Sequence, residues 1–164
     1  YRQEQYEQAI EQQQQALIIA REIGDRMGQA EALGNLGIAY FSLEQYERAI
    51  DYQQQMLMIA QEIGDRMGEG SALANMGEAQ FKKQQYSESL TNNQTALQIF
   101  REIGHREGEA ETLINLAKVN QDLGKIEVAQ RHCQQSLALA TDLNIPLKEK
   151  CEALMEELKK DEGT

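Results

Sequence analysis

The chain has 164 residues, 41% of them apolar, with 16 basic against 27 acidic side chains and a net charge of −11. That balance argues against nucleic-acid backbones and anionic lipid surfaces, which both call for clustered Lys and Arg. The longest apolar run falls far short of the ~20 residues of a membrane span, and the sequence carries no signal-peptide pattern, metal-ligand cluster, phosphate-binding Gly-rich loop or nucleophile motif.

Residues 21–60 are the unit that the rest of the chain repeats. Residues 61–100 copy it without a gap and match it at 18 of 40 positions, and residues 1–20 match its second half at 12 of 20. Residues 101–140 copy it more loosely. A fixed period of this length is the signature of stacked units whose core is a seam between neighbours. The sequence divides into one array over 1–164: a second helix of a truncated repeat at 1–24, repeats at 25–64, 65–104 and 105–144, and a capping helix at 145–160. Because the chain opens at Tyr1 inside a unit, without Met, it reads as a piece of a larger protein.

In chain order, Tyr6, Ala9, Ile10, Gln13, Ala16, Leu17 and Ala20 give the three/four spacing of an amphipathic helix over 4–23. Gly24 ends it in the left-handed position, and Asp25 can cap the next helix. The same Ile-Gly-Asp-Arg punctuation returns at 63–66, and at 103–106 with His105 in place of the Asp. Residues 26–42 form the next helix. A short turn near Leu43 and Glu44 leads to a longer one over 45–63. The pair repeats at 66–82 with 85–103 and at 106–122 with 125–143. The small residues Gly37, Ala49, Gly77, Ser89, Ala117 and Ala129 permit close approach within each antiparallel pair. Met27, Met56, Met67 and Met76 fall on packing phases and read as core filler. Arg26, Arg66 and Arg106 read as structural, bonding carbonyls or acids of the preceding helix end. In the last unit Asn144 replaces the corner Gly, Pro146 suits a first turn, and Leu147, Cys151, Leu154 and Leu158 give a single apolar stripe. This is the pattern of a cap with one wet side, and 161–164 are expected to fray. Cys133 and Cys151 fit no usual zinc spacing and lie on apolar phases, which points to reduced core thiols and a reducing, cytoplasmic setting.

Leu36-Gly37, Tyr40, Tyr46, Ala49 and Leu57 stand in the order of the tetratricopeptide pattern, as do Met76-Gly77, Tyr86, Ser89 and Ala96-Leu97. Leu116-Ala117, Ile126, Ala129 and Ser136-Leu137 follow it again. The chain resembles that family, in a 40-residue variant similar to the repeats of Pins/LGN-type adaptors, kinesin light chains and bacterial multidomain signalling proteins. The resemblance implies an all-α, right-handed superhelix of antiparallel helix pairs with a C-terminal capping helix. It also implies a concave groove lined by the first helix of each pair.

Carried over to this sequence, the groove takes Glu31, Gly34, Asn35, Ile38, Phe41 and Ser42 from the first pair. The second pair gives Ser71, Ala74, Asn75, Glu78, Phe81 and Lys82, and the third gives Glu111, Ile114, Asn115, Lys118, Gln121 and Asp122. Asn35, Asn75 and Asn115 recur in phase, and their amides can both donate and accept. Two readings stand side by side: the row holds the backbone of a bound segment, or each Asn bonds within its own array. Phe41 and Phe81 likewise are groove anchors or packing at the turn. The basic clamp with which relatives hold a C-terminal carboxylate is incomplete, so a basic or mixed partner fits better.

The expectation is therefore a non-catalytic scaffold that binds a protein or peptide in its groove, without cofactor, metal, nucleic acid or membrane. Two rivals remain. The apolar face of the opening helix has no partner helix in this sequence and favours homo-oligomers or head-to-tail stacking. Alternatively, the array regulates a catalytic domain elsewhere in a parent chain.

Overall fold

The computed structural model describes residues 2–161, with side chains over 5–160. Eight helices follow in order: α1 (Arg2–Glu22), α2 (Arg26–Ser42), α3 (Tyr46–Ile63), α4 (Arg66–Lys82), α5 (Tyr86–Glu102), α6 (Arg106–Asp122), α7 (Ile126–Leu143) and α8 (Leu147–Asp161). Asp161 is still helical, and residues 162–164, where fraying is expected, lie outside the described residues.

One device builds every corner between units. Gly24, Gly64 and Gly104 sit at φ 71 to 73°, where a Cβ would be strained, and Asn144 follows at 53°. The left-handed residue turns the next backbone N–H back onto the helix just ended. Asp25 N donates to Ala20 O at 2.8 Å, Asp65 N to Ala60 O at 2.8 Å and His105 N to Phe100 O at 2.8 Å. The same three residues then cap the following helix. Asp25 Oδ1 and Asp65 Oδ1 accept from Gly28 N and Gly68 N at 2.9 Å, and His105 Nδ1 accepts from Gly108 N at 3.0 Å. At Gly28 and Gly68 a Cβ would run into the capping carboxylate, which accounts for the Gly three residues after each Asp.

Arg26, Arg66 and Arg106 do bond acids, but not those of the preceding helix. Arg26 pairs with Glu62, Arg66 with Glu102 at 2.7 Å and Arg106 with Asp142 at 2.6 Å. Each acid lies in the last turn of the following helix. Antiparallel pairing sets the end of α3, α5 or α7 beside the start of its partner. All six side chains are substantially exposed, so the ties orient more than they stabilise.

Within a pair, the helices approach through a glycine matched to a buried polar side chain. Gln53 is 1% exposed and Asn93 fully buried. A Cβ on Gly37 would collide with the Gln53 amide, and one on Gly77 with the Asn93 amide. In the third pair the facing positions are Ala117 and Cys133, both fully buried in one apolar cluster. The smaller thiol leaves room for the extra methyl. Hydroxyls complete the seams: Ser89 Oγ donates to Gly77 O at 2.6 Å and Ser136 Oγ to Ala110 O at 2.7 Å.

Curvature follows from which helices touch. Besides neighbours in sequence, the backbones of α2 and α4, α4 and α6, and α6 and α8 approach closely, whereas those of α3, α5 and α7 do not approach one another in this way. The inner layer is therefore closed and the outer layer splayed, which makes the α2/α4/α6/α8 side concave. The result is an all-α repeat superhelix, with α8 seated where the first helix of a further pair would stand. Its Cys151, Leu154 and Leu158 are buried in the seam.

Gly77→Ala is expected to lower unfolding stability by about 1–3 kcal/mol in urea titration, the usual cost of overpacking. Adding Asn93→Cys, the partner found in the third pair, should return most of it. An equally destabilised double variant would show that the helix spacing is not set by this pair. The internal turns place Glu44 and Gln84 at φ 60° and 59°, where the third turn has Gly124. Glu44→Gly should therefore raise stability by about 0.5–1 kcal/mol, and a fall in the urea midpoint would contradict that.

Candidate functional site

The concave wall consists of one solvent-facing stripe per inner helix. On α2 it runs through Met27, Glu31, Asn35, Ile38 and Ser42, all exposed. On α4 it runs through Met67, Ser71, Asn75, Glu78 and Lys82, and on α6 through Glu107, Glu111, Asn115, Lys118 and Asp122; Ser71, Asn75, Glu78, Asn115 and Lys118 are half-buried and the rest exposed. The stripe faces solvent because the remaining phases of each inner helix are spent on its outer-layer partner and its inner neighbours. Met27 and Met67 belong to it, at 56% and 41% exposure. The core role expected for them holds only for Met76, which is buried, and in part for the half-buried Met56.

The stripes converge most closely between α4, α6 and α8. A cavity of about 380 Å³ there brings together Ser71, Asn75, Glu78, Glu111, Asn115 and Lys118. Leu147 and Lys150 close its end. Both come from the helix read only as a cap; its match to the start of a further repeat was the signal that could have placed them on the groove. Neither Asn75 nor Asn115 has a hydrogen-bond partner among the described residues. Asn35 stands apart from this cavity. Its amide donates to Gln13 Oε1 at 3.4 Å, a long bond between exposed groups. Asn35 thus bonds within the array, whereas the amides of Asn75 and Asn115 stand without a partner among the described residues.

Phe41 and Phe81 pack at the turn of their pairs. Phe41 is half-buried edge-on against Tyr46, with centroids 5.4 Å apart, and Phe81 lies 6.1 Å from Tyr86. Each nevertheless lines a space on the concave side. Lys82 Nζ lies over the Phe81 ring at 6.0 Å. Asp122 is drawn to the edge of the groove, accepting from Tyr86 Oη at 3.2 Å. Glu31 is exposed on α2. Gly34 is buried, and its space is taken by Met56.

His105 uses its ring nitrogen as a cap. Burial first, then Arg131 and Arg101, hold the His132 imidazole below its usual value. Burial, with Cys151 adding to it, pushes the Cys133 thiol up to about 12. Both thiols are fully buried and free. Among the described residues no group of three or more His, Cys, Asp or Glu is placed to hold a metal ion. None of the described helices is long and apolar enough to cross a membrane.

The family described as tetratricopeptide repeat matches the chain over residues 1–62 and 69–142. No curated protein matches it significantly in sequence. Several solved structures share the fold. A Rap protein complexed with competence and sporulation factor superposes with a TM-score of 0.86 at 17% identity, over 99% of this chain and 45% of that one. A signal-transduction ATPase with a tetratricopeptide repeat sensor, from Pyrococcus horikoshii, gives 0.82 at 18% identity, over 96% and 25%. The nearly identical TPR-like repeats of a kinesin-light-chain-type protein from Podosopora anserina give 0.75 at 15%, over 97% and 80%. The chain thus spans less than half the length of the Rap protein and about a quarter of the ATPase.

The groove's acids repel one another. Partial burial, then Glu107 and Glu78, push the Glu111 carboxyl above its ordinary value, against a weaker pull from His105 and Lys150. With the folded-state value above the unfolded one, ionising Glu111 weakens the fold. The penalty sets in as pH rises through the ordinary carboxylate range, and it is absent in acid, where both states are protonated. Glu111→Gln should accordingly raise the urea midpoint at neutral pH and change it little near about pH 3, below the ordinary Glu value. An equal shift at both would deny the charge penalty.

Proposed function

Starting from the fact that the chain belongs to the tetratricopeptide repeat family, we propose that it is a protein-interaction scaffold binding a peptide or partner segment in its concave groove. The observation that carries this reading is the pair of unpartnered amides of Asn75 and Asn115 in one cavity with Ser71, Glu78, Glu111 and Lys118. Amides that donate and accept can hold an extended or helical backbone whatever its sequence, while the side chains around them set preference. The strained charge of Glu111, with Glu78 beside it, favours a partner that brings basic groups. Stacked units keep the groove formed in advance, which lowers the ordering cost of binding. In this reading the residues themselves are not catalytic, no cofactor or nucleic acid is involved, and the setting is cytoplasmic, within a larger signalling or adaptor protein. The Rap protein solved with competence and sporulation factor offers a parallel on the same fold, and the sensor array of the Pyrococcus ATPase offers one for regulation of an attached catalytic domain.

A second reading, self-assembly through α1, has its own observation. Ile19 is 57% exposed, whereas its repeat counterparts Ile59 and Ile99 are 7% and 4% exposed beneath α2 and α4. That face could be covered by another copy of the chain, and concentration-dependent light scattering separates this from monomeric groove binding.

In affinity capture from a lysate, the chain should retain a partner that the Asn75→Ala/Asn115→Ala variant loses. Asn35→Ala, whose amide already has Gln13, should lose less. Both variants are first matched to the parent in helicity and oligomeric state. Capture unchanged in the double variant would remove the groove amides from recognition.

A further inference from the structure

The groove has an apolar side pocket in its first repeat. It lies between α2, α3 and α4, has a volume of about 190 Å³, and is walled by Ile38, Phe41, Ala49 and Gln53, with Asn75 and Glu78 at its α4 edge. Ile38, Asn75 and Glu78 also line the larger cavity between α4, α6 and α8, so the two spaces adjoin. The inner wall of the recess offers an occupant no hydrogen bond. Gln53 Nε2 is spent on Gly34 O at 3.1 Å, and Gln53 Oε1 is closed off by the packing around it. What remains in reach is the Ile38 side chain, the Phe41 ring and the Ala49 methyl. One repeat on, the corresponding space is only about 10 Å³, with Glu78 in the place of Ile38 and Lys118 in the place of Glu78.

A polar side chain entering such a wall gives up water with nothing to replace it, whereas an apolar one gains by leaving water. A cavity of roughly 150 Å³ accommodates benzene, so the room suits one leucine- or phenylalanine-sized group. Beyond the recess the field turns acidic. Glu78, Glu107 and Glu111 enter no ion pair among the described residues, unlike the acids at the corners. Lys118 and Lys150 share the larger cavity; even so, burial, then Glu107 and Glu78, keep the Glu111 carboxyl above its ordinary value. We propose that the recess anchors the bound segment by one apolar side chain, while a basic side chain a few residues along meets Glu111 and Glu107. The proposal rests on the groove reading above and deepens it. Asn75, at the mouth of the recess, then holds the segment's backbone beside the anchor.

Neighbouring inner helices stand roughly 8–10 Å apart, about three extended residues. The test therefore titrates the unmodified chain, by ¹H–¹⁵N NMR, with acetyl-Leu-Gly-Gly-Arg-amide and with the reversed peptide acetyl-Arg-Gly-Gly-Leu-amide. The expected result is saturable shifts at Ile38 and Ala49 with at least one of the two. The analogue carrying Asn for Leu, equal in shape but polar, should bind at least about tenfold more weakly, the scale of burying two methylene groups. The analogue carrying Gln for Arg should lose roughly two- to fivefold, the scale of an exposed ion pair, and Glu107→Gln/Glu111→Gln should remove that difference. Ile38→Ser, at a rim position 52% exposed, should weaken the Leu peptide and lose the partner captured from a lysate. Equal binding of the Leu and Asn peptides, an Arg preference that survives the Glu107→Gln/Glu111→Gln change, or shifts confined to other surfaces would overturn the proposal. If no peptide fills the recess while Asn75→Ala/Asn115→Ala still loses the captured partner, only the anchor falls and the groove reading stands. If the Leu peptide fills the recess but Ile38→Ser retains the partner, the recess plays no part in recognition and the proposal falls; retention by Asn75→Ala/Asn115→Ala as well takes the groove reading with it.

Discussion

Everything in this array depends on how closely the two helices of a pair can approach. Gly37 and Gly77 remove the side chain on one side of the seam, and Gln53 and Asn93 fill the space with an amide on the other. In the third pair Ala117 and Cys133 lie in one apolar cluster. A small residue thus stands on the inner helix of every pair, and like corners at Gly24, Gly64 and Gly104 join one pair to the next. The backbones of the inner helices approach one another while those of α3, α5 and α7 do not, and the concave wall follows from that asymmetry. The position of the concave wall is thus set by packing.

The same economy explains the chemistry of the wall. Side chains on the solvent-facing stripe are released from packing, so polar groups can stand there without an internal partner. Asn75 and Asn115 do so, and Glu111 does so at an electrostatic cost set by its partial burial and by Glu107 and Glu78. A surface that tolerates unsatisfied amides and crowded acids suits a ligand that brings hydrogen bonds and positive charge. Inside the seam, the buried Oε1 of Gln53 has no partner among the described residues, although most buried polar atoms find one.

The period of 40, the corner glycines and the three/four spacing made the helices, their pairing and the capping helix legible in the sequence. The packing phases were legible too, except at Met27 and Met67, which a hydrophobicity pattern assigns to the core although they begin the exposed stripe of their helices. The direction of the Arg26, Arg66 and Arg106 ties was not legible, because adjacency in sequence pointed to the preceding helix and antiparallel pairing supplied the following one. The groove row could be placed by resemblance, but not the difference between Asn35, which reaches Gln13, and its two unpartnered counterparts. The matching across the seam was not legible either, since Gln53, Asn93 and Cys133 share one phase and only the structure sets the two amides against Gly37 and Gly77.

The central claim is that recognition occurs on the concave wall. The most direct measurement places a photo-crosslinking benzoylphenylalanine, one position at a time, at Ile38 in the groove, at Met58 on the exposed face of α3, and at Ile19 on α1. All three side chains are at least half exposed, at 52%, 63% and 57%. The account predicts that irradiation in lysate yields one discrete adduct from the Ile38 position and none from the other two. The same adduct from Met58 would put the interface on the outer layer, and an adduct with a second copy of the chain from Ile19 alone would make assembly, not segment capture, the role of this array.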